Sequence, residues 1–131
     1  MKYGFACGVF DLFHPGHVLM LEECKKQCDY LIVALNSAQN LSPSKNQPIM
    51  NLEERRLILL SCRFVDEVIV YNSEAELLKI IQERQIDIRF LGEDYINMPI
   101  TGSEVGIPIH FINRGHGYST SVLIKRIKDR N

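Results

Sequence analysis

Apolar positions along the chain fall into short continuous runs separated by longer segments with helical spacing. Residues 3–9 predict a first strand that contains Gly4 and Gly8. Over residues 16–27, Val18, Leu21 and Cys24 recur at helical spacing and predict a helix with these three on one side. Residues 29–35 (DYLIVAL) are almost wholly apolar, the pattern of a strand covered on both faces. The polar stretch 36–48, with Pro43 and Pro48, predicts a loop. Asn51 then caps a helix running to about Cys62, with Glu53 and Glu54 suited to its dipole and Leu52, Leu59 and Leu60 or their neighbours as its buried side chains.

Residues 65–71 predict the third strand. Ser73 and Glu76 have the spacing of a capping box opening another helix. Residues 87–91 predict the fourth strand, which ends at Gly92-Glu93-Asp94-Tyr95, and residues 109–112 a short fifth one. Ser119 to about Lys128 closes the chain as a helix. Strands alternating with helices predict a parallel sheet. The expected fold is one α/β domain over residues 1–131, a Rossmann-like, doubly wound, five-stranded parallel sheet with helices on both faces. Ligands of such sheets lie beyond the carboxyl ends of the strands, where the strand order reverses. That places the turn after the first strand, the loop after the second and the segment after the fifth near one crevice.

Composition narrows the function classes. The 131 residues are 46% hydrophobic and 24% charged, an ordinary globular balance. A net charge of −1 argues against a general nucleic-acid binder, which needs a strongly positive face. No stretch approaches the roughly 20 apolar residues of a membrane span, and the start MKYGFACGVFDLF lacks the pattern of a secretory signal. The expectation is a cytoplasmic protein without membrane or nucleic-acid partners. Cys7, Cys24, Cys28 and Cys62 contain no Cys-x-x-Cys pair, and Cys24 and Cys28, four apart on a helix, read as core.

The informative chemistry lies after the first strand, in Gly8-Val9-Phe10-Asp11-Leu12-Phe13-His14-Pro15-Gly16-His17. Two histidines flank a Pro-Gly turn that opens a helix. A helix N-terminus presents unpaired N–H groups and partial positive charge, and so attracts phosphate. Gly16 lets backbone come close, and both imidazoles can donate to the same anion. Metal binding and a purely structural cap also fit these residues taken alone.

The string GVFDLFHPGH resembles the signature of the nucleotidyltransferase superfamily with a His-x-Gly-His motif, and within it resembles the glycerol-3-phosphate cytidylyltransferases and related small cytidylyltransferases. The similarity continues through DYLIVALNS, LEERRLIL, FVDEVIVY and LGEDY, and ends in RGHGYSTS, which resembles the family's second signature. The resemblance implies attack of an acceptor phosphate oxygen on the α-phosphorus of a nucleoside triphosphate, with release of pyrophosphate. No covalent enzyme intermediate is implied. The protein's share is alignment of two anions and neutralisation of growing charge.

Carried over residue by residue, the resemblance implies that His14, His17 and Arg114 are catalytic. His14 and His17 would act as hydrogen-bond donors, since an acceptor phosphate at neutral pH needs no base. Val9, Phe10, Lys45, Asp94, Gly117, Tyr118, Ser119 and Thr120 would join those three around the nucleotide. Asp11, Lys45 and Arg55 would lie at the acceptor, with Lys45 closing over both substrates, and Arg63 near a dimer contact. Mg²⁺ is implied as the triphosphate's partner, without a metal site readable from the residues. A homodimer is implied as well.

Two departures bear on substrate choice. Where the glycerol-phosphate enzymes carry a Trp and a Lys near the acceptor, this chain has Glu74 and Leu77, with Lys79 nearby. The second signature reads Gly115-His116 where cytidylyltransferases often have Thr-Glu. The leading expectation is transfer of CMP from CTP to a small phosphorylated alcohol or polyol, giving a CDP-alcohol. The alternative is an adenylyltransferase acting on a sugar phosphate, like the enzymes that form ADP-heptose. A nucleotide-binding regulator without turnover is a third reading.

Overall fold

The computed structural model describes residues 1–39 and 46–130. The elements run β1 (Tyr3–Gly8), α1 (Pro15–Lys26), β2 (Tyr30–Asn36), α2 (Leu52–Ser61), β3 (Glu67–Tyr71), α3 (Glu74–Glu83), β4 (Ile88–Gly92), β5 (Ile109–Ile112) and α4 (Thr120–Lys128). Two short 3-10 turns, Glu93–Tyr95 and Ser103–Val105, separate β4 from β5. The five strands form one parallel sheet in the order β3-β2-β1-β4-β5. The chain builds outward from β1 on one side, then crosses back to β4 on the other. The expected Rossmann-like sheet is therefore present, with its switch point between β1 and β4.

The apolar run of β2 is explained by two cores. Leu31, Val33 and Leu35 pack with Leu21 and Cys24 of α1 and Leu59 of α2. The intervening Ile32 and Ala34 pack on the opposite face with Phe5, Tyr71, and Leu77 and Ile81 of α3. Side chains alternate between faces along a strand, and both faces here are apolar. Burying a large aliphatic or aromatic side chain of this kind is worth about 1.5–3 kcal/mol.

Three details differ from expectation. On α1 the buried stripe is Gly16, Leu21 and Cys24, whereas Val18 is 37% exposed, since it lies a helical step off that stripe. On α2, Leu59 is buried but Leu60 is 48% exposed, and the other buried position is taken by Arg55. At α3, Ser73 accepts from the Glu76 amide as expected, but the Glu76 carboxylate accepts from the Asn72 amide, one residue before the cap. Asn51 and Glu54 do form a complete capping box on α2. All four cysteines are free, and Cys24 is core as expected.

Candidate functional site at the switch point

A cleft of about 300 Å³ opens at the carboxyl ends of β1 and β4. Its walls include Val9 and Phe10 after β1, His14, Gly16 and His17 at the start of α1, and Arg114, His116, Tyr118 and Thr120 before and in α4. The two signature segments, about a hundred residues apart in the chain, thus face one space. Their first helical turns meet directly, with Thr120 Oγ1 3.3 Å from His14 Nε2.

His14 is the N-cap of α1. Its Nδ1 accepts from the Gly16 amide at 3.0 Å, while His17 Nδ1 accepts from the His14 amide at 3.1 Å. This is a capping box built from two imidazoles. A neutral imidazole that accepts at Nδ1 carries its proton on Nε2. Both rings are held neutral. Burial pushes His17 down to about 4, with the fields of His14 and Arg114 adding to it and Asp11 opposing. Burial also lowers His14, followed by the fields of His116 and Arg114. The pair therefore presents Nε2–H donors without bringing net charge. The rings lie 4.0 Å apart, and His17 stacks on Phe13.

The helices at the cleft differ from the others in charge. The first turns of α2 and α3 carry Glu53, Glu54, Glu74 and Glu76, which offset the positive ends of those helices. Neither α1 nor α4 has an acidic residue in its first turn. Two uncompensated helix N-termini thus adjoin one cleft, an arrangement suited to a polyanion.

The approach of α1 requires a glycine. A Cβ on Gly16 would stand 2.7 Å from His14 Cε1 and 3.0 Å from both His14 Nδ1 and Tyr118 Cβ. Strain collects in the preceding turn, where Phe10 and Leu12 adopt φ of 52° and 49°. In the second signature, Gly117 has φ of 79°, His116 Nδ1 accepts from the Tyr118 amide, and Ser119 caps α4 by accepting from Val122. Arg114 Nη1 lies 3.6 Å from Asp94 Oδ1 at the exposed lip.

Asp11 and Arg55, expected at the acceptor, are occupied with backbone. The Asp11 carboxylate accepts from the amides of Leu12, Ile49 and Met50. Arg55, 2% exposed, donates to the carbonyls of Val9, Asn36, Ser37 and Met50. Together they tie the ends of β1 and β2 to the start of α2. Lys45 lies outside the described residues. Arg63 stacks over Phe64 at 4.9 Å.

A second cavity, about 540 Å³, continues from the first past Cys7, Gly8, Val9 and Gly92. It reaches Tyr71, Glu74 and Leu77 near the start of α3, and Arg89 on β4. The sequence reading passes over Arg89. Its one visible signal is a charge in the middle of an otherwise apolar strand, IRFLG.

Residues 5–125 match the cytidylyltransferase-like family. The chain is 38% identical over 129 residues to the bifunctional protein HldE of Helicobacter pylori (strain HPAG1), covering 97% of this chain and 28% of that protein. It is 33% identical over 131 residues to the bifunctional protein HldE of Campylobacter jejuni subsp. doylei, covering 98% and 28%. The chain therefore spans less than a third of the length of these relatives. Among solved structures, it resembles the lipopolysaccharide core biosynthesis protein of Thermoplasma volcanium, with TM-score 0.70, 27% identity, and 86% and 95% of the two chains covered. Pantothenate synthetase of Thermus thermophilus shares the fold, at TM-score 0.58 and 14% identity, over 86% of this chain and 55% of that one. The match across the chain, together with a His-x-Gly-His turn facing the second signature across one cleft, makes this protein a nucleotidyltransferase of the cytidylyltransferase-like family.

Proposed function

We propose that the enzyme transfers AMP from ATP to a sugar phosphate, releasing pyrophosphate and forming an ADP-sugar. The observation that carries transfer chemistry is the cleft itself, where two helix N-termini, two neutral imidazole donors and Arg114 surround one space. The choice of ATP and a sugar phosphate over CTP and glycerol phosphate rests on the relatives named HldE and on the likeness to a lipopolysaccharide core biosynthesis protein. The size of the second cavity also favours a body larger than glycerol.

In this reading an oxygen of the acceptor phosphate attacks the α-phosphorus in line. The bond from that phosphorus to the bridging oxygen of the β-phosphate breaks, and pyrophosphate leaves with the electron pair. His14 and His17 donate from Nε2 to the phosphate oxygens as negative charge grows. Arg114, the amides at the start of α4, Thr120 and Lys45 serve the same anion. Preorganised donors of this kind are each worth about 10²–10³ in turnover. Asp11 and Arg55 act at one remove, holding the loop that follows β2.

Among the described residues no group of three or more His, Cys, Asp or Glu side chains could cage an ion. Mg²⁺ would enter with the triphosphate and offset its charge, and Asp94, beside Arg114 at the lip, is the carboxylate that would hold it. No helix among the described residues is long and apolar enough to cross a membrane. A homodimer in the cytoplasm remains part of the proposal, and light scattering showing a monomer at micromolar concentration overturns the dimer.

The competing reading is CMP transfer from CTP, which the family's description favours. Pyrophosphate release measured with ATP and with CTP, across sugar phosphates and glycerol 3-phosphate, separates the two. ATP with a sugar phosphate is expected to exceed every other pair. Turnover with CTP alone removes the adenylyl reading.

A further inference from the structure

Alternation along β4 sends Ile88 and Phe90 into the core shared with α1 and α2. Arg89, between them, faces the other side, where it lines the second cavity with Leu77 and Tyr71. In register it stands beside Phe5 of β1, at the centre of the sheet. It is 3% exposed. Among the described residues its guanidinium has one acceptor, the carbonyl of Thr101 at 2.7 Å, and no carboxylate lies within ion-pair distance. Burial holds its pKa below the usual arginine value, with only partial compensation from Cys7 and Glu104.

A guanidinium in this position is costly unless oxygens meet it. Nothing about packing the α3 face demands it, since Phe5, Ile32 and Ala34 fill the neighbouring positions with apolar groups. Across the cavity, Glu74 Oε2 accepts from the Thr101 hydroxyl at 2.6 Å. Thr101 is thus gripped twice, by Arg89 at its carbonyl and by Glu74 at its side chain. The grip leaves a donor-only group deep in the cavity and an acceptor-only group at its mouth. Neighbouring hydroxyls require that combination, because each offers both a lone pair and a proton.

We infer that Arg89 and Glu74 are the specificity-determining pair for the acceptor's carbon skeleton. The guanidinium donates to neighbouring hydroxyl oxygens of a polyhydroxylated acceptor and the carboxylate accepts their protons, while the acceptor's phosphate reaches the His14–His17 cleft. This rests on the sugar-phosphate reading above and names what distinguishes the acceptor within it. A short acceptor such as glycerol 3-phosphate, with no carbon skeleton beyond its two hydroxyls, is expected to leave Arg89, deep in the second cavity, uncontacted.

The test is steady-state kinetics of Arg89→Met, Arg89→Lys and Glu74→Gln with a hexose or heptose phosphate, its deoxy analogues and glycerol 3-phosphate. Arg89→Met is expected to raise KM for the sugar phosphate by about 10- to 100-fold. KM for the nucleotide and for glycerol 3-phosphate should stay within about twofold, since uniform binding to the distal skeleton is what is lost. Arg89→Lys should recover part of the effect. Should Arg89→Met fail to fold, Glu74→Gln at the exposed rim reads the same selective rise without a core change.

Sugar-phosphate KM unchanged in both Arg89→Met and Glu74→Gln, or an equal rise for glycerol 3-phosphate and nucleotide, overturns the inference. Preference for CTP with an Arg89-dependent sugar-phosphate KM overturns only the adenylyl reading. A wild-type chain that neither turns over nor binds any sugar phosphate by calorimetry overturns both.

Discussion

The His14 amide donates to Nδ1 of His17 at 3.1 Å, while His14 Nδ1 takes the Gly16 amide at 3.0 Å. Each histidine of the motif is thereby both a structural cap and a donor. Backbone occupies one ring nitrogen and turns the proton to the other, so folding of the helix start sets the tautomer. The chemistry of the site and the start of α1 are one arrangement.

Separating those two duties is possible by substitution. In His14→Asn the amide oxygen replaces Nδ1 as a cap, but nothing reaches the position of Nε2. Stability should change by less than about 1 kcal/mol, while turnover falls by about 10²–10³. In His14→Gln the amide reaches the outer position and the cap is lost, so part of the turnover returns at a cost in Tm. Full turnover in His14→Asn would exclude the Nε2 donor from the mechanism.

Stability should depend on pH through His17. Its pKa falls from 6.5 to about 4 on folding, so between those values the unfolded chain binds more protons. Unfolding free energy therefore rises with pH across that window, and is lost as pH drops from about 6.5 toward about 4. Allowing for solvent screening of a half-buried ring, about 1–2 kcal/mol is expected. Denaturant titrations of wild type and His17→Asn at pH 4 and 7 read this. Equal pH slopes for the two proteins rule it out.

Arg55 should behave as a structural residue with a catalytic shadow. Arg55→Met leaves the carbonyls of Val9, Asn36, Ser37 and Met50 without their buried donor. Roughly 2–4 kcal/mol of stability should be lost, and kcat should fall because Val9 lines the cleft. An unchanged melting temperature with a raised acceptor KM would instead place Arg55 on the substrate.

Gly16→Ala reverses the usual helix rule. Alanine normally favours a helix by up to about 1 kcal/mol over glycine, but here its Cβ meets the His14 ring at 2.7 Å. Overpacking should cost about 1–3 kcal/mol, and displacement of the imidazole should depress turnover by at least about 10²-fold. Thermal unfolding combined with a turnover assay checks both. A more stable, fully active variant contradicts the close approach.

The elements were largely legible because their signals are local. The run DYLIVAL, the Asn51 and Ser73 caps, and the breaks at Pro48 and Gly92 are carried by neighbouring residues, and the strands and helices appear within a few residues of expectation. The finer errors came from long-range packing. Val18 and Leu60 are as apolar as the residues that are buried, and only the placement of neighbouring elements decides which face of a helix is covered.

By itself the amino-acid sequence determined the alternation of strands and helices, the two signature segments and the family, since each is written in contiguous residues. Tertiary structure turned the crevice expected from the sequence into a particular cleft, in which residues 14–17 meet residues 114–120 because the strand order places β1 beside β4 and β5 beyond it. It also decided that Arg55 serves backbone carbonyls and that Arg89 faces a cavity. An arginine's partners depend on what the fold brings within reach of its guanidinium, and those atoms lie up to about fifty residues away in the chain.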